Sequence, residues 1–189
     1  MESYLSAIDF FTKVIQEYPD SDYFGPALKN SAWCYDRLKE KGSALQSFQT
    51  YLAQYPAAED ALQIQLQVAR LLNETGETIQ AITQFQELQK IGDPLISIEA
   101  SYRLGMMYVA QEQSKKAQKA FQAAVSMNGG DNYYRLSAMA QLAAIYENQG
   151  DTNKAISTYE SLINSTTQES WIAAARERIN ILQVNATNE

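Results

Sequence analysis

The sequence predicts an all-α solenoid of stacked helix hairpins, and three observations carry that prediction. The first is a recurring pair in which a small residue precedes an aromatic one by four positions: Ala7/Phe11, Ala44/Phe48, Ala81/Phe85, Ala117/Phe121 and Ala155/Tyr159. Successive alanines stand 37, 37, 36 and 38 residues apart. A fixed period in this range marks units that cannot bury an apolar face alone and so stack on their neighbours. The second is composition: four prolines, eight glycines and abundant Ala, Leu and Gln suit helices better than a loop-rich fold. The third is punctuation, since Gly, Pro, Asn and Asp cluster between the helical stretches.

Each Ala/aromatic pair belongs to the second helix of a hairpin. These second helices are expected over residues 3–17, 43–54, 78–90, 114–126 and 152–164. First helices are expected over 23–39, 58–73, 96–111 and 132–148, where apolar or small residues recur at helical spacing: Leu28, Ala32, Tyr35; Val68, Ala69, Leu72; Leu104, Gly105, Tyr108; Leu142, Ala143, Tyr146. A closing helix over 169–182 brings the number to about ten. Gly42-Ser43, Gly76 before Thr78, and Gly150-Asp151-Thr152 each set a residue tolerant of left-handed geometry after one helix and a cap before the next. Tyr18-Pro19 and Tyr55-Pro56 end second helices, because proline disfavours helical geometry in the residue before it. Gly92-Asp93-Pro94 and Asn128-Gly129-Gly130-Asp131 mark the later junctions, and Pro26 falls in a first turn, where a missing N–H costs little.

The chain therefore reads as one solenoid over residues 1–189. It comprises an unpaired second helix at 3–17, repeats at about 23–54, 58–90, 96–126 and 132–164, and the closing helix. The opening helix carries Tyr4, Leu5, Phe10, Phe11, Val14 and Ile15 without a first helix to cover them. Uncovered apolar surface at the end of a stack calls for a cap. The expectation is a C-terminal piece of a longer repeat protein, with Met1 an added start residue.

Composition excludes several function classes. The net charge is −7 with acidic residues spread along the chain, which argues against nucleic-acid binding. The densest basic group, Lys115, Lys116 and Lys119, opens a second helix and reads as a solvated outer face. No apolar run approaches the ~20 residues of a membrane helix, and no charged segment followed by an apolar one reads as a signal peptide. Histidine is absent, which removes the commonest general base and metal nitrogen ligand. The single cysteine, Cys34, lies among aromatics and reads as inert core. Asn128-Gly129-Gly130 is no phosphate loop, for no strand precedes it and no Gly-Lys-Ser/Thr follows. Glu59 and Asp60 favour a helix dipole and need no catalytic purpose. No catalytic residue, metal ligand or cofactor site is read from the chain.

Two stretches carry a family resemblance. Leu104-Gly105, Tyr108, Ala117, Phe121 and Ala124 keep the order of small and large positions of tetratricopeptide repeats, as do Leu142-Ala143, Tyr146, Gly150, Ala155 and Tyr159. The chain resembles that family over almost its whole length, with a period longer than the usual ~34 residues. The resemblance implies a right-handed α-α superhelix. Tyr18-Pro19-Asp20-Ser21 and Tyr55-Pro56 are similar to turns in repeats of bacterial envelope proteins of the Tol-Pal coordinator and outer-membrane assembly lipoprotein type. The closing Trp171, Ala174, Arg178 and Leu182 resemble the final helix of such arrays.

The family resemblance also implies that first helices line a concave, partner-binding face. The positions are Lys29, Trp33, Asp36 and Arg37; Leu66, Arg70, Asn73 and Glu74; Tyr102, Met106, Val109 and Ala110; Ala140, Ala144, Glu147 and Asn148. Each set has the spacing i, i+4, i+7, i+8 and so shares one helical face. Trp33 and the Tyr102/Met106/Val109 patch are the candidate anchors, against the plainer alternative that these apolar side chains pack internally. Tyr133 and Tyr134 form either an exposed aromatic tip or helix-start packing. The expected function is a non-enzymatic scaffold that binds a protein or peptide, an assembly factor of a bacterial complex in the envelope or cytoplasm. A peptide-sensing regulatory module, and a spacer or self-association unit, are the alternatives.

Overall fold

The computed structural model describes residues 2–187, and among them every regular element is an α-helix. Ten follow one another: α1 Glu2–Glu17, α2 Phe24–Arg37, α3 Lys41–Gln54, α4 Ala61–Glu74, α5 Thr78–Leu88, α6 Pro94–Ala110, α7 Ser114–Ser126, α8 Tyr133–Asn148, α9 Thr152–Ile163 and α10 Glu169–Thr187. The all-α helical-repeat fold expected from the sequence is the fold observed. Met1 lies outside the described residues.

The chain divides into two compact units, residues 1–84 and 85–189, with α5 running across the division. In the first, α1 packs on α2, α2 on α3, and α3 on α4. In the second, α6 packs on α7 and also reaches α8, α7 packs on α8, α8 on α9, and α9 on α10.

The periodic pairs are the contacts that make this stacking tight. Ala44, Ala81, Ala117 and Ala155 expose no surface, and Phe48, Phe85, Phe121 and Tyr159 are buried beside them. A methyl side chain lets a neighbouring backbone come close enough to seal the ring, which secures most of the transfer free energy of an aromatic. The fit is tight at α6, where a Cβ on Gly105 would stand 2.5 Å from Cε1 of Phe121. Glycine sits mid-helix there for space, at a helix-propensity cost of roughly 1 kcal/mol. The first pair differs from the other four: Ala7 and Phe11 are only half-buried, and Phe10 is 64% exposed.

The turns correct the sequence reading in detail. Gly76 and Gly150 take the left-handed conformation after α4 and α8, with φ of 87° and 74°. After α2 and α6 the same repeat position is held by Lys39 (φ 68°) and Glu112 (φ 57°). Gly42 is not a turn residue, for α3 already begins at Lys41. The helix expected from residue 58 begins at Ala61, because Tyr55-Pro56 is followed by two consecutive turns, Ala58 N–H to Tyr55 C=O and Ala61 N–H to Ala58 C=O. Asp93 caps α6 by accepting from Leu95 and Ile96 N–H, and Asn132 caps α8 by accepting from Tyr134 and Arg135 N–H. No helix among the described residues is long and apolar enough to cross a membrane.

Candidate functional site

In the first unit, α2 and α4 carry the expected partner-facing positions, and several are occupied by internal contacts. The Lys29 ammonium donates to Asp60 at 2.5 Å, and the Asp60 carboxylate also accepts from the Tyr51 hydroxyl at 2.8 Å. Asp36 accepts from Lys41 at 2.6 Å, and the same ammonium reaches Glu74 at 2.9 Å. Gln67 Nε2 donates to Asp36 at 3.3 Å, while Arg70 donates to Gln67 Oε1 at 3.1 Å. Asp36, Arg70 and Glu74 are thus gathered into one polar network through Lys41 and Gln67. Arg37 and Asn73 are exposed. Leu66 is 6% exposed and belongs to the core, which corrects its expected place on an open face. Trp33 stands edge-on to Phe48, with ring centroids 4.9 Å apart, and keeps 38% of its surface open. It is both a packing residue and an accessible one.

Charge placement gives this unit a pH dependence. The Lys29 hydrogen bond, with help from Tyr51, holds the Asp60 carboxyl below its usual range against the opposing effect of burial. Burial first, then the neighbouring Asp60 carboxylate, pushes the Tyr51 hydroxyl up to about 12. A carboxyl with a depressed folded-state pKa stabilises above its unfolded value of roughly 3.9 and loses that contribution as pH falls through the folded value. A raised tyrosine works at the other end: its contribution is complete below roughly 10 and is lost as pH rises through about 12. The denaturation midpoint of Asp60→Asn is therefore expected to change less between pH 7 and pH 3 than that of the parent chain. Equal changes would show that Asp60 has no part in the acid limb.

In the second unit, α6, α8 and α10 bring together a row of aromatic rings that the mapped positions only partly anticipated. Tyr102 on α6 lies between Phe121 (6.1 Å) and Tyr134 on α8 (5.6 Å). Tyr134 is followed by Tyr133 (5.3 Å), and Tyr133 by Trp171 on α10 (6.2 Å). Tyr133 is 61% exposed; Tyr102, Tyr134 and Trp171 are half-buried. Arg103 lies 5.4 Å from the Tyr134 ring centre and donates to its hydroxyl at 3.2 Å, while its Nε donates to the buried Glu99 at 2.5 Å. This brackets Tyr134 with a fixed cation. Both sequence readings of Tyr133 and Tyr134 hold in part, since one ring is an exposed tip and the other packs. Trp171 was legible only as a capping residue, and nothing in the spacing marked Arg103.

The other mapped positions in this unit behave differently from one another. Met106 and Val109 are open to solvent at 36% and 40%, so the apolar patch exists on α6. Ala140 packs against the cluster of Leu136, Met139, Ala143, Tyr159, Leu162 and Ala175. Ala144 is half-buried, and Ala110 and Asn148 are exposed. Glu147 is engaged internally: it accepts from the Tyr159 hydroxyl at 2.7 Å and pairs with Arg178 on α10. Lys115, Lys116 and Lys119 are exposed on α7, with Lys116 5.4 Å from the Tyr108 ring centre. Cys34 is half-buried, and burial pushes its thiol up, which disfavours the reactive thiolate. No group of three His, Cys, Asp or Glu side chains among the described residues converges as metal ligands would.

Comparison with known proteins agrees with this arrangement. Tetratricopeptide-repeat family profiles match residues 27–58 and 97–168. No curated protein sequence matches. Among solved structures, a tetratricopeptide repeat protein from Parabacteroides merdae superposes with a TM-score of 0.67 at 19% identity, covering 98% of this chain and 69% of that one. MamA gives 0.66 at 18% identity, covering 86% and 88%. The quorum sensor NprR from B. thuringiensis in its apo form gives 0.69 at 14% identity, covering 96% of this chain and 53% of that one. At such identities these likenesses speak for the fold. The matched profiles, the buried Ala/aromatic pairs and the hairpin order agree: the chain belongs to the tetratricopeptide-repeat family.

Proposed function

We propose that the chain is a non-enzymatic scaffold that holds a protein or peptide segment on the first-helix side of its hairpins, centred in the second unit. The observation that carries this reading is the aromatic row from Tyr102 through Tyr134 and Tyr133 to Trp171, which spans the first helices α6 and α8 and the closing helix α10 and holds an open ring at Tyr133. Half-exposed aromatics flanked by Met106 and Val109 supply apolar area at little cost in side-chain entropy. Arg103 beside Tyr134 supplies a polar edge. An extended segment with one apolar or aromatic anchor fits such a strip. In the first unit the network around Asp36, Lys41 and Glu74 offers mixed charge, suited to orienting a partner more than to anchoring it. The finer reading, an assembly factor of a bacterial envelope complex, rests on the Tyr18-Pro19 and Tyr55-Pro56 turns.

A peptide array probed with the chain tests the site. Truncating a binding hot spot costs at least ~2 kcal/mol, roughly a thirtyfold loss of affinity. Tyr133→Ala and Met106→Ala are expected to lose the peptides the parent chain retains while keeping its helical signal and melting behaviour. Lys116→Ala on α7 serves as the control. Trp33→Ala is a poorer probe, because loss of the Phe48 contact lowers stability as well. Retention by Tyr133→Ala and Met106→Ala together with loss by Lys116→Ala would move recognition to the opposite side of the hairpins.

A further inference from the structure

We propose that the loop between α7 and α8 carries a modification site: Asn128 converts without an enzyme to isoaspartate, through attack by the Gly129 amide, and the product releases the loop from Arg135. Asn128 is exposed and lies outside any helix, as does Gly129. Among the described residues neither the Asn128 side-chain amide nor the Gly129 N–H has a hydrogen-bond partner. Without a Cβ, glycine leaves its nitrogen open to approach from the preceding side chain.

The Gly129 nitrogen gives up its proton and attacks Cγ of Asn128. A new C–N bond forms, the Cγ–Nδ2 bond breaks, and the released nitrogen takes up the proton and leaves as ammonia. A five-membered succinimide ring remains. Water then opens the ring at either of its two carbonyls. Opening at the main-chain carbonyl of Asn128 leaves the chain running through Cβ and Cγ, which is isoaspartate; opening at Cγ gives ordinary aspartate. Water is the one co-reactant, and nothing is oxidised or reduced.

The fold sets this asparagine apart from others of similar sequence. Asn30 and Asn164 are also exposed, and each precedes a serine, small enough to permit the same attack. Ser31, however, lies inside α2, and Ser165 N–H donates to Leu162 C=O at 2.9 Å. Neither nitrogen turns towards the side chain without first giving up a backbone hydrogen bond. Asn132 is occupied as the cap of α8, where its side-chain oxygen accepts from Tyr134 and Arg135 N–H.

Arg135 gives the reaction a structural consequence. Its Nε donates to Met127 C=O at 3.1 Å and its Nη1 to Gly130 C=O at 3.3 Å. The guanidinium thus clamps the loop on both sides of the Asn128–Gly129 bond. Between the two carbonyls, Gly129 sits so close to α6 that a Cβ there would collide with Cδ1 of Ile98. Isoaspartate lengthens the main chain by one methylene inside this span. The two clamp bonds and the seat on Ile98 cannot then all be kept. Ordinary aspartate adds the same charge without the extra length. The loop runs directly into Asn132, Tyr133 and Tyr134, so its release reaches the start of α8.

The test incubates the folded full chain at mildly alkaline pH, which favours the deprotonated nitrogen, and maps it by mass spectrometry after a mildly acidic tryptic digest. The fragment of residues 120–135 is expected to gain one mass unit, placed at Asn128 and assigned mainly to isoaspartate by fragmentation. Fragments 30–37 and 155–176, which hold Asn30 and Asn164, are expected to stay unchanged in the folded chain and to convert once it is denatured. Asn128→Gln, which would have to close a six-membered ring, is expected to abolish the change. An unmodified Asn128 in the folded chain, or conversion of all three asparagines at one rate, overturns the proposal. Converted chains, separated by anion exchange, then report on the clamp. Their amide hydrogens over residues 127–135 are expected to exchange faster than those of Asn128→Asp. Equal exchange overturns the release of the loop.

Discussion

Replacing Phe121 by alanine is expected to cost about 3–5 kcal/mol and to lower the melting temperature by roughly 10 °C. The ring is fully buried on α7, against Tyr102 and the backbone of Gly105, both on α6. Removing it deletes apolar contacts from two helices at once and leaves a space that neither can close. Collapse is restrained because α6 also packs on α8, so α6 cannot simply settle into the gap. The reverse change tests the same contact from the other side. Gly105→Ala would gain about 1 kcal/mol of helix propensity, but its Cβ would meet the ring at 2.5 Å. Overpacking of this kind costs about 1–3 kcal/mol, so a net loss is expected. Gly105→Ala combined with Phe121→Leu is expected to be more stable than the two single losses would give if added. Denaturant titration of the four proteins completes the cycle. A Phe121→Ala loss below about 1 kcal/mol, or simple additivity in the cycle, would show that this pair does not hold α6 to α7.

The sequence exposed the repeat because one constraint operates at every hairpin: an aromatic ring must be sealed by a small neighbour. That constraint writes a residue type at a fixed period, so helix positions followed from it closely. The turns were harder to read. The left-handed position after each first helix is occupied by Lys39, Gly76, Glu112 and Gly150 in turn. Glycine marks it only twice, although the same hydrogen bond closes all four turns: Glu40 N–H to Tyr35 C=O, Glu77 N–H to Leu72 C=O, Gln113 N–H to Tyr108 C=O and Asp151 N–H to Tyr146 C=O. Gly42 drew attention in a helix, where its backbone freedom has no role.

Candidate site residues were legible as positions and less so as roles. A helical face can be read from spacing, but what it meets depends on elements distant in sequence. Lys29 looks free until Asp60 is placed beside it, 31 residues on. Leu66 sits on the mapped face of α4 by spacing and is nevertheless enclosed. The aromatic row is hard to read in the sequence, because its members come from three helices and only Tyr134 and Trp171 keep the repeat period of 37. Each ring is explicable singly as packing, and only their succession in space gives a surface.

Glu147 decides between the two readings of a mapped residue, and its replacement by alanine is expected to cost about 1–3 kcal/mol without changing peptide recognition at the aromatic row. The carboxylate joins three helices: it lies on α8, accepts from the Tyr159 hydroxyl of α9 and pairs with Arg178 of α10. Tyr159 is 6% exposed, so an alanine at 147 strands a buried hydroxyl away from water. Arg178 is nearly half exposed and can be solvated instead, so its ion pair contributes little. Glu147→Gln keeps an acceptor for Tyr159 and is expected to lose less than half as much. Titration separates the cases further. Burial works against the Glu147 charge, but the Arg178 and Tyr159 hydrogen bonds outweigh it and hold the carboxyl below the usual range. Its stabilisation is therefore present above roughly pH 4.3 and lost as pH falls through the folded value. The stability of Glu147→Gln is expected to vary less across that interval than the parent's. If Glu147→Ala instead melts normally and loses the peptides that the parent retains, the residue faces the partner, and the junction of α8, α9 and α10 is held by apolar packing alone.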